Sequence, residues 1–175
     1  MMTYSAIRVR ATPSASRSGR TGGAVVVVGI AVAAWISFGR HLFGIGGDLT
    51  IIYAATLGVI FAALLVITGL AVRRTALRGF ETRAITYAFL IASVVSGILL
   101  GLTLPDSTPR GLQTIISGPT EPGLGIAIGI ANPLGVIGIA TAIIALVLSI
   151  RDSRGRITLV ESWSDEDDGA LVDPA

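Results

Sequence analysis

Residue types that commonly carry out chemistry are scarce in this chain of 175 residues. It has no cysteine and a single histidine, His41, which excludes thiolate catalysis, cysteine-bound zinc, iron–sulfur clusters and bis-histidine haem within one chain. The acidic run at 165–168 lacks the spaced oxygen ligands and the glycine turn of a calcium loop, so it indicates a solvated tail. We therefore expect no catalytic residue, no cofactor and no metal ion, and we expect that the protein is not an enzyme.

Arg40 and His41 form a second candidate, because neighbouring guanidinium and imidazole groups could bind an anion. The simpler interpretation, which we favour, is an arginine that extends along an apolar surface to water, beside an exposed histidine. No aspartate, glutamate, lysine, arginine or histidine lies within any of the long apolar stretches of the chain. Since charges inside a membrane mark ion paths and proton relays, this pattern argues against a proton-coupled carrier.

The stretch GIAIGIANPLGVIGIA, residues 125–140, places an amide and a proline inside an apolar sequence. Pro133 has no backbone N–H and its ring clashes with the carbonyl of Gly129, so that carbonyl needs another donor in hydrocarbon. We expect a helix kink at Gly129, Asn132 and Pro133, with Asn132 facing the interior of a helix bundle. The alternative is a polar site for a solute or an ion at a broken helix, an arrangement that transporters use.

Small residues follow two rows in the third apolar stretch, and they predict where helices pack closely. One row places Ala92 and Ser96 four residues apart, and the other gives the same spacing to Ser93, Gly97 and Gly101. Small residues at this spacing let helix backbones approach one another in lipid. Two rows predict two neighbouring helices, so we expect the third helix to lie centrally in the bundle, with these residues at its contacts.

Four long apolar stretches determine the fold class. Apolar residues make up 52% of the chain and charged residues 14%, with a mean hydropathy of +0.80. A helix needs about 20 apolar residues to cross the hydrocarbon core of a bilayer. The sequence predicts an all-α integral membrane protein, a bundle of four transmembrane helices over about 24–39, 50–72, 84–104 and 123–150. A cleaved signal peptide is the alternative for the first stretch, but no small-residue cleavage site follows it.

The arginines predict how the bundle is oriented in the membrane. All 13 basic residues are arginine; eleven fall on one side of a four-span arrangement, whereas only Arg40 and Arg110 fall on the other. Cytoplasmic segments carry the excess of lysine and arginine. We therefore expect both termini in the cytoplasm and the protein in the plasma membrane. The expected parts are a flexible basic tail over 1–23, a membrane domain over 24–150 and a tail, basic then acidic, over 151–175.

The connection between the third and fourth spans, residues 105–122, is expected to lie outside the cell and to contain a short amphipathic helix. Thr108 suits the N-cap, Pro109 the first helical position and Gly118 the position after the helix. Between them aliphatic residues recur at helical spacing, namely Leu112, Ile115 and Ile116. The alternative is an irregular loop with a few buried aliphatic side chains.

The use of arginine without lysine is typical of a GC-rich genome. Across its whole length the chain resembles four-span membrane proteins of high-GC Gram-positive bacteria, although no diagnostic motif accompanies the resemblance and no functional residue is carried over. The expected function is that of a non-catalytic multi-pass membrane protein acting through helix packing, as an accessory subunit or a homo-oligomer. The alternative is an oligomeric carrier or channel for a small neutral or lipidic solute, with a broken helix at Asn132 and Pro133. The expected partners are the lipid bilayer and another membrane protein or a second copy, and not a nucleic acid.

Overall fold

The computed structural model describes residues 13–154, with side chains from Arg20 onward. Within that range four helices are long and apolar enough to cross a membrane. They are α1, α2, α3 and α4, which cover Pro13–Phe38, Thr50–Leu77, Ala84–Thr103 and Gly123–Ser153. Within α2, Ala54–Gly58 form a π-helical turn. The prediction of a mostly helical protein with four candidate membrane spans is confirmed. Residues 1–12 and 155–175, which make up much of the two predicted tails, lie outside the described residues.

Turn-forming residues end the helices. After α2, Gly79 takes a φ of 79°, and the N–H groups of Gly79 and Phe80 donate to the carbonyls of Ala76 and Thr75. This pattern pairs carbonyls that the end of a helix otherwise leaves free. α3 ends before Pro105, because the residue that precedes a proline avoids the helical conformation.

α1 begins at Pro13, within the segment 1–23 for which the sequence predicted a flexible tail. α1 already lies against α2 at Gly22, where a Cβ atom would lie 2.6 Å from the backbone nitrogen of Arg73. The close contact requires a glycine, and it extends the helix pair beyond the first apolar stretch. That part of the tail prediction is wrong, because hydropathy does not report the packing of one backbone on another.

The four helices form a square bundle in which each helix packs mainly against two neighbours. α1 contacts α2 and α3, and α4 contacts the same two helices, so α2 and α3 face each other across a diagonal. α3 therefore has neighbours on two sides. The same holds for every other helix, however, so the expectation that α3 lies more centrally than the others is wrong.

Large apolar side chains fill the centre of the bundle. Phe61 of α2 is fully buried, and its ring contacts a glycine of α3, across the diagonal, and a glycine of the neighbouring α4. A Cβ atom would lie 3.2 Å from this ring on Gly97 of α3 and 2.7 Å from it on Gly138 of α4. The same buried cluster includes residues from all four helices, namely Val32, Ile36, Leu65, Leu100 and Ala131, and Leu104, which follows α3 directly.

The connection between α3 and α4 contains a β-hairpin instead of the expected amphipathic helix, so that expectation is wrong. Strand β1, Asp106–Thr108, pairs antiparallel with strand β2, Gly111–Gln113. Pro109 and Arg110 form the turn, and the glycine that follows has a φ of 98°, a conformation that suits glycine. Thr108 Oγ1 accepts the N–H of Arg110 at 3.2 Å, so it stabilises a turn and does not cap a helix.

Candidate functional site

Two buried carboxylates, those of Asp106 and Asp152, join helices and connections at opposite ends of the bundle. We call the two groups the Asp106 cluster and the Asp152 cluster. The first comprises Arg40, Thr50, Tyr53 and Asp106. The second comprises Arg83, Thr86 and Asp152. Neither carboxylate belongs to a local sequence pattern from which a site was predicted.

The carboxylate of the Asp106 cluster lies at the N-terminus of α2. Thr50 Oγ1 donates to Asp106 Oδ2 at 2.8 Å, and the backbone N–H of Leu49 donates to Oδ1 at 3.0 Å. The N–H of Ser107 also donates to Oδ1, at 2.8 Å. A negative charge at this position pairs with N–H groups that the helix leaves free, and it interacts favourably with the helix dipole.

Arg40 supplies the positive charge of the Asp106 cluster. It is 1% exposed, with Nε 3.2 Å from Asp106 Oδ2, and its guanidinium lies over the ring of Tyr53, 4.5 Å from the centroid. Nη2 donates to the carbonyl of Ser37 at 3.4 Å, whereas Nη1 has no hydrogen-bond partner within the described residues. The interpretation of Arg40 as an arginine that extends to water is therefore wrong, although His41 beside it is exposed.

The carboxyl of Asp106 is stabilised in its ionised form. Burial alone would raise its pKa, but hydrogen bonds outweigh that effect and hold the pKa below its ordinary value. The donors are the hydroxyl of Thr50 and the backbone N–H groups of Gly47, Leu49 and Ser107. Asp106 therefore carries a negative charge at neutral pH and acts as a fixed acceptor.

The Asp152 cluster repeats this arrangement at the other end of the bundle, with α3 in the place of α2. Thr86 Oγ1 donates to Asp152 Oδ2 at 2.8 Å, and the backbone N–H of Arg83 donates to the same oxygen at 3.2 Å. The Arg83 side chain places Nε 3.1 Å from Oδ1, and it is 43% exposed. Nearby, Arg78 Nη1 donates to the carbonyl of Ser153 at 2.9 Å. Two arginines of the α2–α3 connection thus hold the end of α4.

The small residues of α3 face its two neighbours. Ser93 Oγ donates to the carbonyl of Gly138 on α4 at 2.9 Å, and a Cβ atom on Gly138 would lie 3.2 Å from the Cβ of Ser96. On the side of α1, a Cβ atom on Gly97 would lie 2.7 Å from a methyl group of Val32. These distances leave no room for a larger side chain at either glycine.

Trp35 of α1 also docks on α3. Its indole Nε1 donates to the carbonyl of Ile98 at 3.1 Å, and a Cβ atom on Gly101 would lie 2.5 Å from that nitrogen. Gly101 therefore leaves the space that the indole occupies. Ala92, the remaining small residue of the predicted set, is only partly buried.

Glycines also mediate the contact between α1 and α2, which the sequence analysis did not identify. A Cβ atom on Gly29 would lie 2.7 Å from the Cβ of Leu65, and one on Gly69 would lie 2.9 Å from the backbone nitrogen of Val26. Each helix thus contributes a glycine against which the other packs. The first two helices form a tight pair through these contacts.

The residues for which a helix kink was predicted lie on the outside of the bundle. Gly129, Asn132 and Pro133 are exposed, so the expectation that Asn132 faces the interior is wrong. α4 is one continuous α-helix with Pro133 inside it, so it is not broken there as the alternative required, and the kink stays a prediction. The helix packs through its small residues, which leaves Asn132 on the other side; the buried ones include Ala127, Ala131, Gly138, Ala142 and Ala145.

An open groove of about 410 Å³ lies between the hairpin connection and the adjoining ends of α3 and α4. Its lining includes the apolar side chains of Ile126 and Ile130 on α4 and the polar side chains of Ser117 and Glu121 on the connection. The carboxylate of Glu121 accepts the N–H of Gly125 at 3.1 Å. The groove is therefore lined by both apolar and polar side chains.

Across residues 13–154, no group of three or more histidine, cysteine, aspartate or glutamate residues is placed to hold a metal ion. No protein-family model matches the chain, and the searches of curated proteins and of solved structures gave no significant match. The arrangement of its own residues is therefore the basis for a functional proposal.

Proposed function

We propose that this protein is a non-catalytic multi-pass membrane protein that acts through helix packing, as an accessory subunit or a homo-oligomer. The observation that carries the proposal is the engagement of its buried carboxylates. Asp106 and Asp152 each accept hydrogen bonds at a helix N-terminus and pair with an arginine. Groups engaged in this way hold helices together, whereas catalysis needs a group free to exchange a proton or to attack a substrate.

The outer surface of the bundle supports a location within a bilayer. Large apolar side chains are exposed on all four helices, among them Val27, Ile67, Ile91 and Val136. Soluble monomers rarely expose contiguous apolar surface on this scale, whereas lipid tails solvate it. Within a bacterial cell we assign the protein to the plasma membrane.

We assign a cytoplasmic position to both termini. One end of the bundle carries most of the described arginines, namely Arg73, Arg74, Arg78, Arg83, Arg151 and Arg154. At the opposite end, Arg40 is buried against Asp106, which leaves Arg110 as the exposed arginine of that end within the described residues. The end that is rich in arginine is expected to face the cytoplasm.

Purification of the tagged full-length chain from its native membranes in a mild detergent tests the proposal. We expect a homo-oligomer of defined size, or a complex that contains this chain and one other membrane protein in a fixed ratio. Light scattering and mass spectrometry distinguish these two cases. A monomeric protein that moves a solute across reconstituted vesicles would contradict the proposal.

The groove beside α4 favours a second candidate, a carrier for a small neutral or lipidic solute. A groove lined by Ile126 and Ile130 together with the polar Ser117 and Glu121 suits an amphiphile. Vesicles that contain the purified protein separate the two candidates. Flux of a fluorescent lipid that requires the protein and is lost in Ile126→Trp would support the carrier. An oligomer of defined size without flux would support the packing role.

A further inference from the structure

We infer that the exposed face of α4 around Asn132 binds the same face of a second copy of this chain. The inference rests on the proposed function, because it names the surface through which a homo-oligomer would form. We call this surface the Asn132 face; it consists of exposed residues on one side of α4, namely Gly125, Gly129, Asn132, Val136 and Ala140.

Asn132 lies at a depth where hydrocarbon surrounds an exposed side chain. No charged residue occurs from Gly123 to Ile150, a stretch that is about 42 Å long as a helix. A hydrocarbon core of about 30 Å centred on that stretch places Asn132 about 7 Å from the middle of the bilayer. Water is excluded at this depth, so the amide depends on protein groups for its hydrogen bonds.

Hydrogen-bonding groups on the Asn132 face lack partners within the described chain. The side chain of Asn132 makes no hydrogen bond with any described residue, although a carboxamide offers two N–H donors and a carbonyl acceptor. Pro133 has no N–H, so the carbonyl of Gly129 lacks its usual helical donor. Unpaired polar groups in hydrocarbon cost free energy, and a second helix that supplies partners would remove that cost.

A second copy suits this face because the face complements itself. In a two-fold symmetric dimer, residues near the axis meet their own counterparts. A carboxamide both donates and accepts, so the two Asn132 side chains can pair with each other. No residue of the Asn132 face is charged, so two copies do not repel each other.

The spacing of the face also suits close contact between helices. From Gly125 its residues follow at intervals of four, three, four and four positions, which keeps them on one side of a helix with about 3.6 residues per turn. A Cβ atom on Gly129 would meet no atom of the chain within 4 Å. Packing within the described bundle therefore does not require a glycine at this position, whereas close approach of a second helix does.

Cysteine cross-linking of the full-length protein in membranes tests the inference, since the chain contains no cysteine. Val136 and Ile137 form a matched pair, because they are 63% and 51% exposed but differ by about 100° around the helix. We expect Val136→Cys to form a disulfide-linked dimer on oxidation and Ile137→Cys to remain monomeric. Equal cross-linking of the two variants would contradict the inference.

Asn132→Leu tests the part played by the amide. Single-molecule photobleaching of labelled protein in phosphatidylglycerol–phosphatidylethanolamine vesicles, at decreasing protein density, gives the dissociation constant of the dimer. We expect this constant to rise about 3- to 30-fold in Asn132→Leu and less in Asn132→Gln. Because Asn132 makes no hydrogen bond within the described chain, we expect the unfolding of the monomer in detergent to be unchanged. Destabilisation of the monomer with an unchanged dissociation constant would overturn the inference.

The outcomes separate this inference from the proposed function. An oligomer that cross-links through another face would overturn the inference and leave the proposed function standing. So would a chain that does not self-associate but purifies in a fixed ratio with another membrane protein. A chain that remains monomeric and without such a partner would overturn both.

Discussion

Asp106 and Asp152 occupy equivalent positions at opposite ends of the bundle, since each accepts a 2.8 Å hydrogen bond from a threonine in the first turn of a helix. Asp106 binds Thr50 of α2, and Asp152 binds Thr86 of α3. Each aspartate also accepts the N–H of the residue before that helix, at 3.0 and 3.2 Å. The two clusters thus fix the starts of the two helices that face each other across the diagonal.

Replacement of Asp106 is expected to destabilise the bundle strongly. Asp106→Asn removes the negative charge and leaves the buried guanidinium of Arg40 without its counter-ion. Breaking a buried pair in this way costs about 3–5 kcal/mol, which unfolding in detergent would measure. Asp48→Asn is the matched control, because Asp48 is exposed in the same connection. Equal losses in the two variants would contradict the role of the Asp106 cluster.

The pH dependence of stability is expected to report Asp106. Its pKa is lower in the folded protein than the ordinary value, so its ionised form stabilises the fold. That contribution is complete above the unfolded pKa of about 3.9 and is lost as the pH falls through the folded value. Unfolding measured from pH 7 to pH 2 should therefore show a gap between wild type and Asp106→Asn that narrows below about pH 4. A gap that is constant over this range would contradict the prediction.

At the other end of the bundle, Thr86→Val is expected to destabilise the protein by about 1–3 kcal/mol, because one donor to the buried carboxylate of Asp152 is lost. Thr56→Val is the control, since the exposed hydroxyl of Thr56 donates only to the carbonyl of Ile52 in its own helix. Thermal unfolding in one detergent compares the two. A larger effect at Thr56 than at Thr86 would show that the Asp152 cluster does not hold the start of α3.

Gly97→Ala is expected to destabilise the protein by about 1–3 kcal/mol through overpacking, because the new methyl group would lie 2.7 Å from Val32 and 3.2 Å from Phe61. Gly23→Ala is the matched control, since a Cβ atom there meets no atom within 4 Å. In the control the better helix propensity of alanine is expected to leave stability equal or up to about 1 kcal/mol higher. Unfolding in detergent that ranks the two variants in the opposite order would refute close packing at Gly97.

Single-cysteine labelling is expected to place the hairpin connection outside the cell. Glu81 and Thr120 are exposed on connections at opposite ends of the bundle, and the chain has no other cysteine. An impermeant maleimide should label Thr120→Cys in intact cells and Glu81→Cys only after the membrane is opened. The reverse pattern would invert the assigned orientation.

The helices could be predicted from the sequence because charge and hydropathy change together at their ends. The starts expected at residues 50, 84 and 123 coincide with Thr50, Ala84 and Gly123. The hairpin could not be predicted in this way. The segment from Thr108 to Gly118 satisfies the local preferences of a helix as well as those of a turn, and contacts of Asp106 with a distant loop favour the turn.

The buried ion pair was missed because local patterns consider each charge alone. Arg40 and Asp106 follow the first and third apolar stretches, so a four-span arrangement brings them to the same end; joint consideration of the two would have suggested the pair. Asn132 was placed on the wrong side because α4 is apolar on every face and its periodicity gives no direction. Its small residues, such as Ala127 and Ala131, mark the buried side.

The two aspartates also impose an order on the assembly of the bundle during synthesis. Asp106 follows Leu49, whose N–H it accepts, by 57 residues, and Asp152 follows Arg83 by 69. The pair of α1 and α2 has its glycine contacts as soon as both helices exist. The start of α2, by contrast, gains its carboxylate acceptor only when the hairpin has been synthesised. The start of α3 gains its acceptor only with the last turn of α4. Each aspartate binds a helix start that was synthesised long before it. A chain that ends before Asp152 therefore lacks the carboxylate that accepts hydrogen bonds from Arg83 and Thr86 at the start of α3.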